Sequence, residues 1–221
     1  MSTVPLVSVI VPVFNQERFL GRCLRSLGAQ DFPDGDYEVV VVDDGSNDGT
    51  GHVLDLFRGE IRVLRNEVNS GLPTALNRGI RSSSSLFTVR VDSDDYVNAE
   101  FIRVLYTFLA QNRYMDAVAC DYFLVDDDET ILERRNCEEH PIACGIMFRT
   151  DQLIDIGLYD EEFLLHEERD LRRRFMEKHG IHRIEAPLYR YRRHSGNITN
   201  DTEAMAHHYA MLAKKHGEPH A

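Results

Sequence analysis

Three short apolar runs, each followed at once by polar residues, constrain the fold of this chain more than any other feature. Val7–Val13, 37–42 and 87–91 are rich in β-branched side chains and have the length of buried strands. Between the runs we predict three helices, at 19–27, 51–58 and 74–80. We also predict one further strand, at 61–64. Strands that alternate with helices at this pitch imply right-handed crossovers and a parallel sheet.

The second half of the chain has a looser pattern. Its predicted elements are a helix at Phe101–Gln111, a strand at Ala117–Val125, a hairpin after the acidic turn 126–129, a helix at 167–178, a strand near Ile184, a basic segment at 190–194 and a helix at 203–215. We therefore predict one α/β domain over residues 1–200, followed by a C-terminal tail at 201–221.

Size and charge narrow the range of functions. With 221 residues and 43% apolar composition, the chain can bury one substantial core. No stretch approaches the ~20 apolar residues of a bilayer span and the N-terminus has no signal-like segment, so a cytoplasmic protein is expected. The formal charge of -12 argues against a nucleic-acid partner, because binding to a phosphate backbone needs a basic surface.

The polar residues after the strands are expected to meet at one edge of the sheet, because ligands gather at the carboxyl ends of parallel strands. The clearest group is Asp92-Ser93-Asp94, whose carboxylates can both face a hard cation such as Mg²⁺ or Mn²⁺. Capping of a helix that starts near Ala99 is the alternative for a lone pattern of this kind. Arg90 favours the metal site, because a charge in a buried strand needs an acid or a phosphate as its partner.

Asp43 and Asp44 end the second strand and leave two interpretations open. Followed by Gly-Ser-Asn-Asp-Gly-Thr, they are ordinary residues for a turn and a helix cap. Because a buried strand delivers them to the ligand edge, one carboxylate can instead accept hydrogen bonds from a nucleobase N–H or a ribose hydroxyl.

Five stretches, taken in order, resemble the family 2 glycosyltransferases with the GT-A fold. They are VSVIVPVFNQERFLGRCLRSLGAQ, YEVVVVDDGSNDGT, NSGLPTALNRGI, FTVRVDSDDYV and GIMFRTDQLIDIGLYDEEFLLHEERDLRRRF. The resemblance covers residues 6–195, and the five in register are specific although each alone is weak. It implies an α/β, Rossmann-like and mostly parallel central sheet flanked by helices. The implied nucleotide-sugar-binding half is 1–97, and the acceptor-binding half, with a small antiparallel hairpin, is 98–200.

The resemblance also implies roles for individual residues. Those implied for binding the donor nucleotide are Pro12, Asn15, Glu17, Asp43, Asp44, Asn69, Gly71, Asn77 and Ser93. Asp92 and Asp94 match the metal-binding pair of the family, with Asp95 as a further candidate ligand. His194 lies where related enzymes place a residue near the diphosphate, although a surface histidine is the alternative. Arg90 is the other candidate contact to the diphosphate.

The implied catalytic base lies at the start of the late helix, where the family has a Glu-Asp pair. This chain has Glu167-Glu168 there, so Glu168 is the predicted base, although Glu replaces Asp and lengthens the side chain by one methylene. The alternative is an exposed helix face with i,i+4 ion pairs, a spacing found for Glu168–Arg172 and Asp170–Arg174.

Together these features predict an inverting glycosyltransferase that moves a sugar from a nucleotide-diphospho-sugar, UDP- or dTDP-linked, to a hydroxyl acceptor, with Mn²⁺ or Mg²⁺ as cofactor. The resemblance suggests a glycan or lipid-linked glycan acceptor in cell-envelope polysaccharide assembly. Peripheral association at the inner membrane face and a homodimer are left open. A catalytically inactive module that binds sugar nucleotides or acts as a scaffold is the alternative. A nucleotidyltransferase is disfavoured, because no glycine-rich, basic phosphate loop follows the first strand.

Overall fold

The computed structural model describes residues 4–197 and 202–217, and one mixed sheet runs through them. The nine strands found in these residues are β1 (Val7–Val13), β2 (Tyr37–Asp43), β3 (Arg62–Arg65), β4 (Phe87–Arg90), β5 (Tyr96–Val97), β6 (Ala117–Val125), β7 (Ile131–Arg135), β8 (Ile146–Arg149) and β9 (Ile181–Arg192). The helices are α1 (Leu20–Gly28), α2 (Thr50–Leu56), α3 (Leu72–Ser82), α4 (Phe101–Gln111), α5 (Thr150–Asp155), α6 (Glu167–Met176) and α7 (Thr202–His216). None of the helices in this part of the chain has both the length and the apolarity needed to span a bilayer.

The strands follow the order β3-β2-β1-β4-β8-β6-β9-β5, and β7 pairs with the C-terminal half of β6. The first four in this order are mutually parallel, so their carboxyl ends open onto the same edge of the sheet. The predicted α/β sheet is confirmed, and so is the antiparallel hairpin, which β6 and β7 form. Antiparallel pairing extends beyond that hairpin, because β8 runs antiparallel to both of its neighbours, β4 and β6.

Both faces of the sheet are covered, which explains why β1 is apolar along almost its whole length. Val9 and Val11 belong to one core, to which α1 and α4 contribute, whereas Ile10 belongs to the opposite core under α3 and α6. Successive side chains of a strand point to opposite faces, so a strand buried on both sides needs a continuous apolar run. The polar residues that follow such strands are left at the edge of the sheet.

The predicted elements agree with the structure within about two residues at each end, and the differences lie in the second half of the chain. The sequence did not predict β5, β8 or α5, because these elements are short and lack a clear apolar period. The basic segment predicted at 190–194 is not separate from the strand near Ile184, since β9 continues to Arg192. Pairing of β9 with β6 extends to this residue, and it overrides the charged sequence.

The C-terminal helix α7 packs against the rest of the domain. Its Leu212 and Ala213 are buried. Lys215 Nζ and His216 Nε2 lie 2.7 and 2.9 Å from Oδ1 of Asp170, a buried residue in the first turn of α6. The tail predicted at 201–221 is therefore largely a docked helix, and its residues 201 and 218–221 lie outside the described part of the chain.

Candidate active site

A cleft of about 500 Å³ opens at the carboxyl ends of β1, β2 and β4, where the sequence predicted that the polar residues meet. The predicted site residues that line it are Pro12, Asp44, Asn69, Gly71, Arg90, Asp92, Ser93, Asp94 and the further candidate Asp95. Lining residues that the sequence analysis missed include Leu164, Tyr191 and Asn197. Leu164 and Asn197 lie in irregular segments and Tyr191 in a mixed polar strand, so no local pattern indicated that they reach this edge.

Asn15 and Glu17 do not line the cleft but join the two loops beside it. Asn15 Oδ1 accepts a hydrogen bond from the Asn47 amide at 2.9 Å, and Glu17 Oε2 accepts one from the Gly49 amide at 2.6 Å. Asn15 has a φ of 52°, a left-handed conformation that Asn tolerates better than most residues. These two residues hold the loop after β1 against the loop after β2 and thereby shape one rim of the cleft.

Asp43 and Asp44 have different roles. Asp43 Oδ1 accepts a hydrogen bond from the Ser46 amide at 3.0 Å, which is the turn contact that the sequence left open as an alternative. Asp44 lines the cleft and is 3% exposed. Its Oδ2 accepts hydrogen bonds from the amides of Ser70 and Gly71 at 3.0 and 2.8 Å. Asp44 therefore fixes the loop that leads into α3.

Gly71 and Asn69 lie directly before α3. Gly71 has a φ of 93°, and a Cβ added to it would lie 2.7 Å from Leu164 Cδ2. Only glycine meets both conditions without strain. Asn69 Oδ1 accepts a hydrogen bond from the Gly71 amide at 3.0 Å.

Asn77, which was predicted to contact the donor, does not line the cleft. It is 1% exposed, and its Nδ2 donates to the Tyr159 carbonyl at 2.8 Å and to Glu161 Oε1 at 2.9 Å. The Tyr159 amide donates back to Asn77 Oδ1 at 3.0 Å. Asn77 therefore braces α3 against the segment that precedes α6.

Arg90 is the centre of an ion-pair network beneath the acidic cluster. Its Nε and Nη2 atoms donate to the two carboxylate oxygens of Asp92 at 2.6 and 3.2 Å, and its Nη1 donates to Glu167 Oε1 at 2.9 Å. The Arg90 and Glu167 side chains are only 9% and 6% exposed. The acidic partner predicted for Arg90 is confirmed, and a second acid joins it. Burial raises the pKa of Glu167 to about 7 against the opposing effect of Arg90.

Asp95, the further candidate metal ligand, also lines the cleft but is only 2% exposed. Its Oδ2 accepts a hydrogen bond from the Tyr189 hydroxyl at 2.7 Å, and its Oδ1 accepts one from the Arg192 amide at 2.7 Å. Burial, together with the nearby Asp94 and Asp92 carboxylates, raises the pKa of Asp95 well above its usual value. Its geometry is that of an internal link between the acidic turn and β9.

Asp94 presents a carboxylate to the cleft. Its Oδ2 lies 2.9 Å from His194 Nε2 and 3.5 Å from Asn197 Nδ2. The His194 side chain is 6% exposed, so the alternative of an ordinary surface histidine does not describe it. Although His194 does not itself line the cleft, it holds a carboxylate that does.

The donor set of the acidic cluster fits a hard divalent cation. Asp92 and Asp94 both line the cleft. Each carboxylate oxygen of Asp92 accepts one of the hydrogen bonds described and keeps a second lone pair, and Oδ1 of Asp94 accepts none of those described. Asp92, Asp95 and Cys144 also bring ligand atoms within 4.8 Å of one another. Burial raises the pKa of the Cys144 thiol well above its usual value, so this inner group suits a hard cation less well than the pair that lines the cleft.

Glu168, the predicted base, does not line the cleft but a second cavity of about 360 Å³. Arg90 lines the cleft and interacts with Tyr159, which lines the second cavity. Successive helix residues point about 100° apart. Glu167 therefore reaches the Arg90 network while its neighbour Glu168 faces the second cavity.

The alternative interpretation of α6, an exposed face with the ion pairs Glu168–Arg172 and Asp170–Arg174, holds for only one of these two pairs. Arg174 Nη2 lies 2.8 Å from Asp170 Oδ2, so this pair forms. Within the described residues the ion pair of Glu168 is instead with the adjacent Arg169, at 3.9 Å, and none forms with Arg172.

Comparison with known proteins identifies the family. The model of the family described as glycosyl transferase family 2 matches residues 8–160, which is most of the chain. The chain belongs to glycosyl transferase family 2. The matched region includes Asp92, Asp94 and Asp95 and ends before α6.

Known relatives of this chain share part of its sequence and almost all of its fold. It is 39% identical over 108 residues to poly(ribitol-phosphate) β-N-acetylglucosaminyltransferase TarS of Staphylococcus aureus, covering 48% of this chain and 19% of TarS. The chain thus spans about a fifth of the length of that relative. The crystal structure of Staphylococcus aureus TarS in complex with UDP-GlcNAc has a TM-score of 0.80 at 24% identity, over 94% of this chain and 65% of that one.

A second solved structure supports the same fold. The mannosyltransferase PcManGT from Pyrobaculum calidifontis, in complex with GDP-Man and Mn²⁺, has a TM-score of 0.76 at 19% identity, over 100% of this chain and 66% of that one. The resemblance to family 2 and the fold expected from it are both confirmed.

Proposed function

We propose that this glycosyltransferase is an inverting, metal-dependent enzyme that transfers a sugar from a nucleotide-diphospho-sugar to a hydroxyl acceptor. The observation that carries the proposal is the Arg90 network, which joins Asp92 of the cleft to Glu167, the residue before the proposed base, at the start of α6. Sugar transfer needs a cation site for the diphosphate and a base for the acceptor hydroxyl. Asp92 and the neighbouring Asp94 are the candidates for the cation site, and Glu168, which follows Glu167 in the helix, is the candidate for the base.

The cleft supports the donor part of the proposal. Its volume of about 500 Å³ is within the usual range for small-ligand sites. The two solved relatives contain UDP-GlcNAc and GDP-Man, and we propose a UDP- or dTDP-linked donor for this chain. The nucleoside would lie along the wall that Pro12, Asp44 and Gly71 form, with the diphosphate directed towards Asp94.

Asp92 and Asp94 are the residues that would hold Mn²⁺ or Mg²⁺, and a cation there stabilises the negative charge of the departing diphosphate. His194 holds the Asp94 carboxylate in place, at 2.9 Å. Arg90 likewise holds the Asp92 carboxylate in place, with Nε 2.6 Å from Oδ1, and it adds positive charge to the wall of the cleft.

Glu168 would accept the proton of the acceptor hydroxyl as the hydroxyl oxygen attacks the anomeric carbon. The bond from that carbon to the β-phosphate oxygen breaks, and its electron pair leaves with the diphosphate. Attack opposite to the leaving group inverts the anomeric configuration. Glu168 lines the second cavity and not the cleft, and we propose that the acceptor approaches from that side. From the family resemblance we propose a glycan or lipid-linked glycan of the cell envelope as the acceptor.

Nucleotide binding tests the donor part. We expect UDP or dTDP to raise the melting temperature in the presence of Mn²⁺ and to raise it less without the cation, because a ligand bound only by the native state stabilises it. If no nucleoside diphosphate stabilises the protein with or without a cation, the donor proposal is wrong.

Glu168→Gln tests the base. We expect kcat for transfer to fall by about 100-fold or more, while the affinity for the nucleotide stays unchanged. Glu177→Gln is the matched control, because Glu177 is an exposed residue at the other end of the same helix and should affect neither quantity. NMR spectra of the product report its anomeric configuration, and retention would contradict the proposed mechanism. The inactive-module alternative predicts nucleotide binding with neither transfer nor donor hydrolysis.

A further inference from the structure

The second cavity has an arginine on its wall that the described residues leave without a partner. Arg172 lines the cavity one helical turn after Glu168 and is partly buried. Within residues 4–197 and 202–217 its guanidinium makes no hydrogen bond and no ion pair, and Glu138 acts on it only at longer range. A guanidinium removed from water without a counter-charge is unfavourable, so this position suits a residue that binds an anion.

The remaining wall of the cavity combines further charge with an apolar floor. Arg169, on the same face of α6, is 54% exposed and adds a second guanidinium. The acids on the wall are Glu139, which is exposed, and Glu168, the proposed base. The apolar part of the wall includes Ile142, Ile146, Phe148 and Leu171.

We propose that this cavity binds the acceptor through a phosphate group and that Arg172 is the residue that binds it. The planar guanidinium can donate two parallel hydrogen bonds to phosphate oxygens, and such charge-assisted bonds are stronger where water is partly excluded. The role of the cavity as acceptor site rests on the proposed function, whereas the phosphate site at Arg172 can be tested without it.

The helix sets the spacing between the two chemical groups of the acceptor. Glu168 and Arg172 are four residues apart, which is roughly 6 Å along the helix axis. A hydroxyl beside Glu168 and a phosphate beside Arg172 are then separated by only a few covalent bonds. Glycerol phosphate has this spacing, both as a free polyol phosphate and as the head group of phosphatidylglycerol. A neutral glycan would leave Arg172 without a counter-charge.

Binding of glycerol 3-phosphate tests the proposal, with glycerol as the neutral comparison. The full chain is saturated with UDP and Mn²⁺ to block the cleft, and binding is followed by amide shifts in NMR spectra. We expect the native protein to bind glycerol 3-phosphate but not glycerol, and Arg172→Ala to weaken that binding by about tenfold or more. Arg172→Lys should give an intermediate affinity, because it keeps the positive charge but loses the two parallel N–H donors of the guanidinium. Arg58→Ala removes a side chain that is 82% exposed and lies outside the cavity, so it should match the native protein.

Vesicles distinguish the two sources of the phosphate. Arg172-dependent binding to phosphatidylglycerol vesicles, but not to phosphatidylcholine vesicles or to the soluble ester, supports a lipid head group. Arg172-dependent binding of the soluble ester supports a polyol phosphate. Equal affinities of the native protein and Arg172→Ala for both probes overturn the phosphate site, and Arg172→Lys decides the matter if the Ala variant does not fold.

A separate measurement keeps this proposal apart from the proposed function. UDP binding to the native protein is measured before the phosphate titrations. Its absence counts against the proposed function, whereas the comparison of native protein with Arg172→Ala still decides whether Arg172 binds phosphate.

Discussion

Asp170→Asn tests whether a buried ion cluster stabilises the packing of α7 against α6. The Asp170 side chain is 0% exposed, and three basic side chains lie close to its carboxylate: Lys215 at 2.7 Å, Arg174 at 2.8 Å and His216 at 2.9 Å. The substitution keeps the shape of the side chain and removes its charge, so Lys215 and Arg174 lose their common counter-charge.

The exposure of the three side chains that surround Asp170 sets the expected magnitude. Removing one partner of a buried ion pair costs about 3–5 kcal/mol, because the remaining charge is left uncompensated. The side chains of Arg174, Lys215 and His216 keep 21%, 34% and 11% exposure, so water recovers part of that loss. We therefore expect Asp170→Asn to lower the free energy of unfolding by about 2–4 kcal/mol. Each kcal/mol corresponds to roughly 2–4 °C in the melting temperature of a domain of this size.

Urea unfolding at neutral pH measures this difference, with Asp155→Asn as the matched control. Asp155 pairs with Lys178 at 3.1 Å, but the two side chains are 68% and 58% exposed. An exposed pair of this kind contributes about 0–1 kcal/mol, so the control should remain close to the native protein. If Asp170→Asn costs no more than Asp155→Asn, burial of the cluster is not what stabilises it.

The pH dependence gives the same prediction a second readout. Burial by itself would raise the pKa of Asp170, but hydrogen bonds from Lys215, His216 and Arg174 bring it below the usual value of 3.8. The stabilisation is therefore fully present above the pKa of the unfolded chain and is lost as the pH falls through the lower pKa of the folded state. The native protein and Asp170→Asn should converge in acid. A difference that persists there would refute the reasoning.

Three further substitutions test the site. Asp94→Asn should raise the free-energy barrier to sugar transfer by about 2 kcal/mol or more, measured as a lower kcat at saturating Mn²⁺. An unchanged kcat would show that Asp94 does not bind the cation. Gly71→Ala should destabilise the protein by about 1–3 kcal/mol in urea unfolding and weaken nucleotide binding, because φ is 93° and Leu164 Cδ2 lies 2.7 Å from the added carbon. Burial raises the pKa of Glu167 to about 7, so this group makes the native protein less stable as the pH rises from about 4.5 through 7. Glu167→Gln should flatten that part of the stability curve, and an equally steep curve would contradict the assignment.

The sequence by itself determined the features that depend on short, periodic patterns. The continuous apolar run of β1 and the helical spacing of α4 are found at the residues predicted for them. The position of Asp92 directly after a buried strand was enough to place it at the ligand edge, because parallel strands share the edge at which their carboxyl ends lie. Patterns of this kind are local, and they do not require knowledge of what the rest of the chain packs against.

Only the tertiary structure decided which distant residues become partners. Arg90 and Glu167 are 77 positions apart in the chain and form an ion pair at 2.9 Å. The packing of α6 turns Glu167 to this network and Glu168 to the neighbouring cavity, although the two residues are adjacent and chemically identical. In the same way, β8 is recognisable as a strand only once β4 and β6 lie on either side of it. Burial and ion pairing act between groups that the fold brings together, so no local pattern in the sequence encodes them.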